Sequence, residues 1–311
     1  MKNYKHVFDA VFKEIEKVVV GQHDVVEQIL VAILCDNNAL MEGYPGLAKT
    51  LTVKTLSEIM NLKFSRIQHT PDLMPSDITG TFIIEETSGK RQFKFQPGPI
   101  FANIVLADEI NRATPKTQSA LLEAMQEKQV TVGNETYKMD LPFFVLATQN
   151  PIEQEGTYPL PEAQADRFLL KIKVGYPTYE EEREIVERFT GAPRDTKLKT
   201  LLNKNHITSL QSLTRQVPVA NDIKARALKI VVSTRTNKDV IQYGASPRAS
   251  IGLLLAAKAR ALIRGRNHVS NEDINEIAYP VLRHRIVLNF EAERKGMTND
   301  DAIKHILDKV K

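Results

Sequence analysis

The sequence predicts an α/β chain, with a parallel sheet of about five buried strands flanked by helices and a smaller, all-helical domain after it. Three observations carry this reading. Up to Gly175, short apolar runs alternate with helical patterns, as in a parallel sheet covered on both faces. A glycine-rich turn, GYPGLAKT at Gly43–Thr50, joins one such run to a helix. After Gly175-Tyr176-Pro177 the strand runs stop and helical periodicity with polar links takes over. Residues 1–176 are therefore expected to form the core and 177–311 the helical domain.

In chain order, the helix DVVEQILVAILCD leads to the strand ALME, the glycine turn and the helix KTLTVKTLSEIM. The strands KFSRIQ and NIVLAD follow, then the helix PKTQSALLEAMQE and the strands FFVLATQ and FLLKIKV. Two insertions interrupt the series. ITGTFIIEETSGKRQFKFQPGPI reads as a hairpin turning at Ser88-Gly89, and KQVTVGNETYKMDLP as another turning at Gly133-Asn134. The helical part opens with TYEEEREIVERF, whose early acids suit the positive end of a helix dipole. Its longest helix is PRASIGLLLAAKARALI, with Ser246 as N-cap and Pro247 as its first residue.

Composition narrows the function classes. A formal net charge of +4 over 311 residues, with acids and bases interspersed, gives no basic face that would argue for nucleic acid. The single cysteine, Cys35, excludes an intrachain disulfide and reads as a buried thiol in an apolar helix. The N-terminal stretch lacks a signal-peptide pattern and no window spans a membrane, so a cytoplasmic location is expected. The seven histidines are scattered without metal-ligand spacing.

The chemistry gathers at the ends of the apolar runs. GYPGLAKT nearly fits a phosphate-binding loop, with Ala48 where the fingerprint has its second glycine. A strand–turn–helix of this kind points free backbone N–H groups and a helix dipole at an anion. Lys49 would reach the β- and γ-phosphates and Thr50 would hold Mg²⁺. A lysine in a first helical turn opposes the dipole unless an anion joins it. Alanine is acceptable at position 48 if its φ is negative, with Gly46 taking any unusual backbone angle. NIVLADE ends in Asp108 and Glu109, at the carboxyl end of a parallel strand where open α/β sheets bind ligands. Asp108 suits Mg²⁺ held through water, and Glu109 suits a general base acting on the attacking water. FFVLATQN ends in Asn150, an amide able to orient that water. Arg248, in the first turn of its helix, again opposes a dipole and calls for an anionic partner. Arg167 precedes the last strand, where a salt bridge with Asp166 or Glu162 is the plain alternative.

These residues resemble the AAA+ ATPases and, within them, the MoxR family. The matching stretches are VVVGQHDVVEQILVAIL, LMEGYPGLAKT, FQPGPIFANIVLADEINRATPKTQSALLEAMQE, LATQNPIEQEGTYPLPEAQADRFLLKIKVGYP and GASPRASIGLLLAAKARAL, from Val18 to about Leu262. The resemblance implies a P-loop NTPase core with a C-terminal lid. It would set Val20, Gly21 and Gln22 against adenine. Gly43, Tyr44, Pro45, Gly46, Leu47, Ala48, Lys49 and Thr50, with Leu51, would be Walker A. Asp108 and Glu109 would be Walker B, Asn150 sensor 1, Arg167 the arginine finger and Arg248 sensor 2. It further implies ATP and Mg²⁺ as ligands, a homo-oligomer in the form of a hexameric ring, and protein clients that include von Willebrand factor A-domain proteins. The expected function is ATP hydrolysis that drives chaperone-like remodelling. A DNA-remodelling motor and a nucleotide-gated scaffold without turnover are the rival readings.

Overall fold

The computed structural model describes residues 4–87, 90–151, 156–191 and 196–310. In chain order its elements begin with α1 (Lys5–Ile15), α2 (His23–Leu34), β1 (Ala39–Glu42), α3 (Lys49–Ile59), β2 (Phe64–Gln68) and α4 (Pro75–Thr79). The hairpin β3 (Gly80–Thr87) and β4 (Lys90–Pro97) follows, then β5 (Ile104–Asp108) and α5 (Pro115–Glu127). A second hairpin, β6 (Gln129–Val132) and β7 (Glu135–Lys138), precedes β8 (Phe144–Gln149), α6 (Glu162–Ala165) and β9 (Leu170–Lys173). Next come α7 (Tyr179–Thr190), α8 (Lys204–Gln216), α9 (Asn221–Thr236), β10 (Ile241–Tyr243), α10 (Pro247–Ile263) and α11 (Asn271–Leu282). The chain closes with β11 (Val287–Leu288), α12 (Phe290–Arg294) and α13 (Asn299–Lys309).

The expected sheet forms, five-stranded and parallel, in the order β2-β5-β8-β1-β9. Its interior strands are apolar on both faces because helices cover both, so their residues divide with period two. In β5, Ile104 and Leu106 enter one core with α1, α2 and α3, while Val105 and Ala107 enter the other with α5. The first of these cores continues without a break into the C-terminal helices. There α10 packs against α2, α8, α9 and α11, and it is apolar nearly all round for that reason. Between these helices β10 and β11 pair antiparallel, in runs too short for periodicity to reveal. Cys35 is buried, as expected, and burial pushes its thiol pKa up.

Both hairpins form. β6 and β7 turn at Gly133-Asn134, whereas the Ser88-Gly89 turn lies outside the described residues. The hairpins are joined: Phe95 stacks on Tyr137 at 3.9 Å and meets Phe82 and Phe101 edge-on. Among the described residues, no helix is long and apolar enough to cross a membrane.

The edge strand β9 carries an unusual cap. An edge exposes unpaired carbonyls at every second residue. Here the chain leaving α11 fills them from the side. Arg283 Nη1 donates to the Lys171 carbonyl at 3.2 Å and Arg285 Nη1 to the Leu169 carbonyl at 2.9 Å. Between these arginines, His284 is mostly buried, with Nε2 3.0 Å from the Phe168 carbonyl. Burial, then the charge of Arg285, hold its pKa well below the usual imidazole value. On the other side of the helical layer, Arg260 of α10 bridges Glu27 of α2 and Asp273 of α11 at 3.3 and 2.9 Å. Burial alone would push the Asp273 pKa up, but hydrogen bonds from Arg266, Ser270 and Arg260 outweigh it and hold the carboxyl below its ordinary value.

A buried imidazole kept neutral binds fewer protons folded than unfolded. Stability should therefore be complete above pH 6.5 and fall as pH drops below it, by up to about 1.4 kcal/mol per pH unit for one such histidine. Urea unfolding between pH 7.5 and 5.5 should show this slope in the wild type and a shallower one in His284→Asn.

Candidate functional site

The loop after β1 sits where the strand order reverses, because β8 and β9 flank β1 while β2 lies at the far edge. Open α/β sheets bind ligands at such a point, outside the carboxyl ends of the strands. Two adjoining clefts open there. One, of about 410 Å³, is lined by Pro45–Leu51 together with Arg66, Gln68, Asp108, Glu109, Thr148 and Asn150. The other, of about 760 Å³, is lined by Val20, Gly21, Gln22, part of the same loop, Lys173–Pro177 and the inner face of α7. The expected phosphate and metal residues thus meet in the first cleft, and the expected base-contacting residues in the second.

Gly43 and Tyr44 line neither cleft. The Gly43 carbonyl accepts from Lys49 Nζ. The Tyr44 ring turns outward to stack on Tyr176 at 5.2 Å. Gln22 has a bracing role that the sequence does not announce: its Nε2 donates to the Leu47 carbonyl at 3.0 Å and its Oε1 accepts from Thr52 at 3.2 Å. It thereby ties the second cleft to the glycine loop.

The expectation of negative φ at Ala48 is wrong. Ala48 has φ 53° and ψ 19° as the N-cap of α3, and Gly46 also has positive φ, 83°. The loop needs a left-handed residue immediately before the helix, so Gly46 does not spare Ala48. The Ala48 carbonyl is held by both N–H and Oγ1 of Thr52, at 2.9 and 3.0 Å. A Cβ in the left-handed region costs roughly 1–2 kcal/mol, and alanine is the smallest residue to bear it.

Lys49 is half-buried. Burial pushes its pKa down, while the nearby Asp108 and Glu109 carboxylates pull it back up. Asp108 is 8% exposed and engaged on both oxygens. Thr148 Oγ1 donates to Oδ1 at 2.6 Å, and Arg66 donates to Oδ2 through Nη2 at 2.6 Å and Nε at 3.0 Å. Glu109 adopts φ 56°, which swings it off the strand line into the cleft. Its N–H donates to Thr148 Oγ1 at 2.9 Å, and its Oε2 accepts from Gln68 at 3.0 Å and Arg112 at 3.1 Å. Thr50 and Asp108 offer hard oxygens in one cleft, the donor type that Mg²⁺ takes while keeping water and phosphate as its other ligands. Arg66, Gln68 and Thr148 are site residues that the sequence reading missed. Arg66 and Gln68 are the polar alternates of β2, and that period was the available signal.

Arg167 and Arg248 are elsewhere. They line a third cleft, of about 300 Å³, with Asn38, Lys128, Asp166 and Arg285. Asn38 precedes β1 and Leu169 precedes β9, and these are hydrogen-bonded at 2.8 Å, so this cleft lies at the amino ends of the strands. Ser246 caps α10 and Pro247 opens it, as expected. The anion facing Arg248 is Asp166, at 3.3 Å, and Asp166 also accepts from Ser246 and Arg285. Arg248 therefore lies at the opposite end of the sheet from this chain's glycine loop.

Comparison with known proteins agrees with this architecture. Residues 38–170 match the profile of the ATPase family associated with various cellular activities, and 233–306 that of the AAA lid domain. The chain is 44% identical over 313 residues to the chaperone MoxR1 of Mycobacterium tuberculosis, covering 98% of this chain and 82% of that one. The chain belongs to the MoxR family of AAA+ ATPases. YeaC of Bacillus subtilis is likewise 44% identical, with 96% and 92% of the two chains covered. A crystal structure from Cytophaga hutchinsonii superposes with TM-score 0.92 at 45% identity, over 99% and 95% of the two chains. Protein MoxR of Paracoccus denitrificans is 29% identical over 90% of this chain and 89% of that one.

In this MoxR-type loop the strain at Ala48 is testable. Ala48→Gly should leave ATP affinity within about threefold and change stability by less than about 1 kcal/mol, because strain relief opposes the added freedom of the unfolded chain. Ala48→Val, β-branched at φ 53°, should lower the unfolding midpoint clearly in the same urea assay.

Proposed function

We propose that this MoxR-type chain hydrolyses the β–γ bond of ATP in the cleft at the carboxyl ends of the strands, and that neighbouring copies complete the site. The observation that carries the reading is the gathering of Lys49, Thr50, Asp108, Glu109 and Asn150 in one hollow, with Arg167 and Arg248 at the other end of the same sheet. Residues 1–176 serve as the nucleotide core and 177–311 as the lid.

Within a copy, the loop amides and Lys49 hold the β- and γ-phosphates. Thr50 and Asp108 hold Mg²⁺, which when bound neutralises charge on the phosphate oxygens. Glu109 takes the proton of the attacking water, and Asn150 holds that water in line. Gln22 keeps the second cleft in register with the loop. Arg167 reaches the nucleotide of the adjoining copy, and Arg248 acts on the same side. A closed ring supplies that geometry to every copy, and six copies is the number we expect. ATP turnover then drives chaperone-like remodelling of protein complexes, with von Willebrand factor A-domain proteins among the clients. The two joined hairpins present exposed side chains such as Ile84 and Phe93 on which nucleotide state can act.

Complementation tests the shared site. Glu109→Gln should bind ATP normally and lose hydrolysis at least a hundredfold. Arg167→Ala should also bind, and lose about 10³-fold. Mixed oligomers of the two should regain phosphate release, because some interfaces then pair an intact Glu109 with an intact Arg167. No recovery in mixtures shown to co-assemble would refute the sharing, and wild-type turnover by Glu109→Gln would refute the base.

A further inference from the structure

Arg66 stands in the middle of β2, opposite Leu106 of β5, on the same face of the strand as Gln68. That face looks into the phosphate cleft, whose lining includes both residues. The guanidinium places Nη2 2.6 Å and Nε 3.0 Å from one oxygen of Asp108, while Thr148 occupies the other oxygen at 2.6 Å. Arg66 Nη2 also donates to Gln68 Oε1, and Gln68 Nε2 donates onward to Glu109 at 3.0 Å. One cation thus sits at the junction between the two carboxylates of the site. An ordinary ion pair at a surface would join two exposed groups and contribute little. Here the acid is almost fully buried, and the base is half-exposed on the cleft side.

We propose that Arg66 is the resident counter-cation of Asp108, in competition with the divalent metal, so that it sets the metal concentration at which the nucleotide site loads. The inference rests on the reading of Asp108 as a metal-holding residue. A carboxylate has about four lone-pair positions, and the donors from Arg66 and Thr148 take up most of them. A dication approaching Asp108 meets a guanidinium that must either move off Oδ2 or stay a few ångströms away as a like charge. Both outcomes weaken metal binding and neither is needed for the fold of the loop, which Gln22 and Thr52 brace independently. A cation that competes has a distinctive signature: its removal tightens metal binding, whereas structural damage loosens it. Arg66 is a positioning residue in this scheme, acting on the reacting groups through Asp108.

The probe is Mn²⁺, titrated into the full chain at saturating ADP and followed by the EPR signal of free Mn²⁺. ADP affinity without metal is measured separately with a fluorescent analogue. Arg66→Gln should lower the Mn²⁺ midpoint by about tenfold, the size expected when one like charge leaves a partly solvated site. Arg66→Met, which keeps the apolar stem and packing, should do the same, and Arg66→Lys should remain near wild type. An unchanged or raised midpoint in Gln and Met variants that still bind ADP overturns the proposal. Asp108→Asn separates the two layers of the argument. If its midpoint rises while those of Arg66→Gln and Arg66→Met do not fall, the metal reading of Asp108 stands and the competition fails. If Asp108→Asn leaves the midpoint unmoved, the metal reading itself fails and takes the proposal with it.

Discussion

Parallel strands deliver their carboxyl ends to one side of a sheet and their amino ends to the other. In this chain that constraint sorts the ionic chemistry into two separate places. The loop after β1, the acids after β5 and the amide after β8 all emerge on one side. Asp166 and Arg167, which precede β9, emerge on the other. No side-chain motion carries an arginine through a packed sheet, so within one copy the two groups stay apart. The lid reinforces the separation, because Arg285 and Arg248 hold Asp166 from its side and keep that corner cationic.

The same corner shows how the helical layer is attached. Edge strands invite pairing with other chains unless they are covered. Arg283 and Arg285 cover β9 with side-chain donors at alternate carbonyls, which fixes α11 to the strand in one register. Glu27, Arg260 and Asp273 fix α10 and α11 to α2. Since α2 starts directly after Gln22, these ion pairs join the lid helices to the segment that holds the glycine loop at Leu47. The larger apolar core runs through the same helices, so the lid and the sheet share packing as well as ion pairs.

Sequence periodicity revealed those elements whose burial is unambiguous. Strands β1, β5 and β8 are apolar on both faces and stood out as continuous runs, and α5 and α10 have the predicted ends. Motif spacing brought Lys49, Thr50, Asp108, Glu109 and Asn150 together correctly. What stayed hidden depends on three-dimensional register. Arg66 and Gln68 look like the polar half of an ordinary edge strand until pairing with β5 aims them at Asp108 and Glu109. Arg248 calls for an anion by its place in a helix, but only the fold shows that the anion is Asp166. The backbone at Ala48 is set by the turn from β1 into α3, and composition argued for the wrong sign of φ.

Charge in the phosphate cleft connects these details. Burial pushes the Lys49 pKa down, and the charges of Asp108 and Glu109 oppose that shift. Those acids are in turn held by Arg66 and Arg112. Within the lining, Lys49 and Arg66 balance Asp108 and Glu109, so the cleft is formally neutral, and Arg112 reaches Glu109 without lining it. That pairing keeps Asp108 and Glu109 in fixed positions instead of leaving them to repel each other at adjacent points in the chain. The strain at Ala48 belongs to the same economy of position: it brings Lys49 to the start of α3, where loop amides, ammonium and both carboxylates face one hollow.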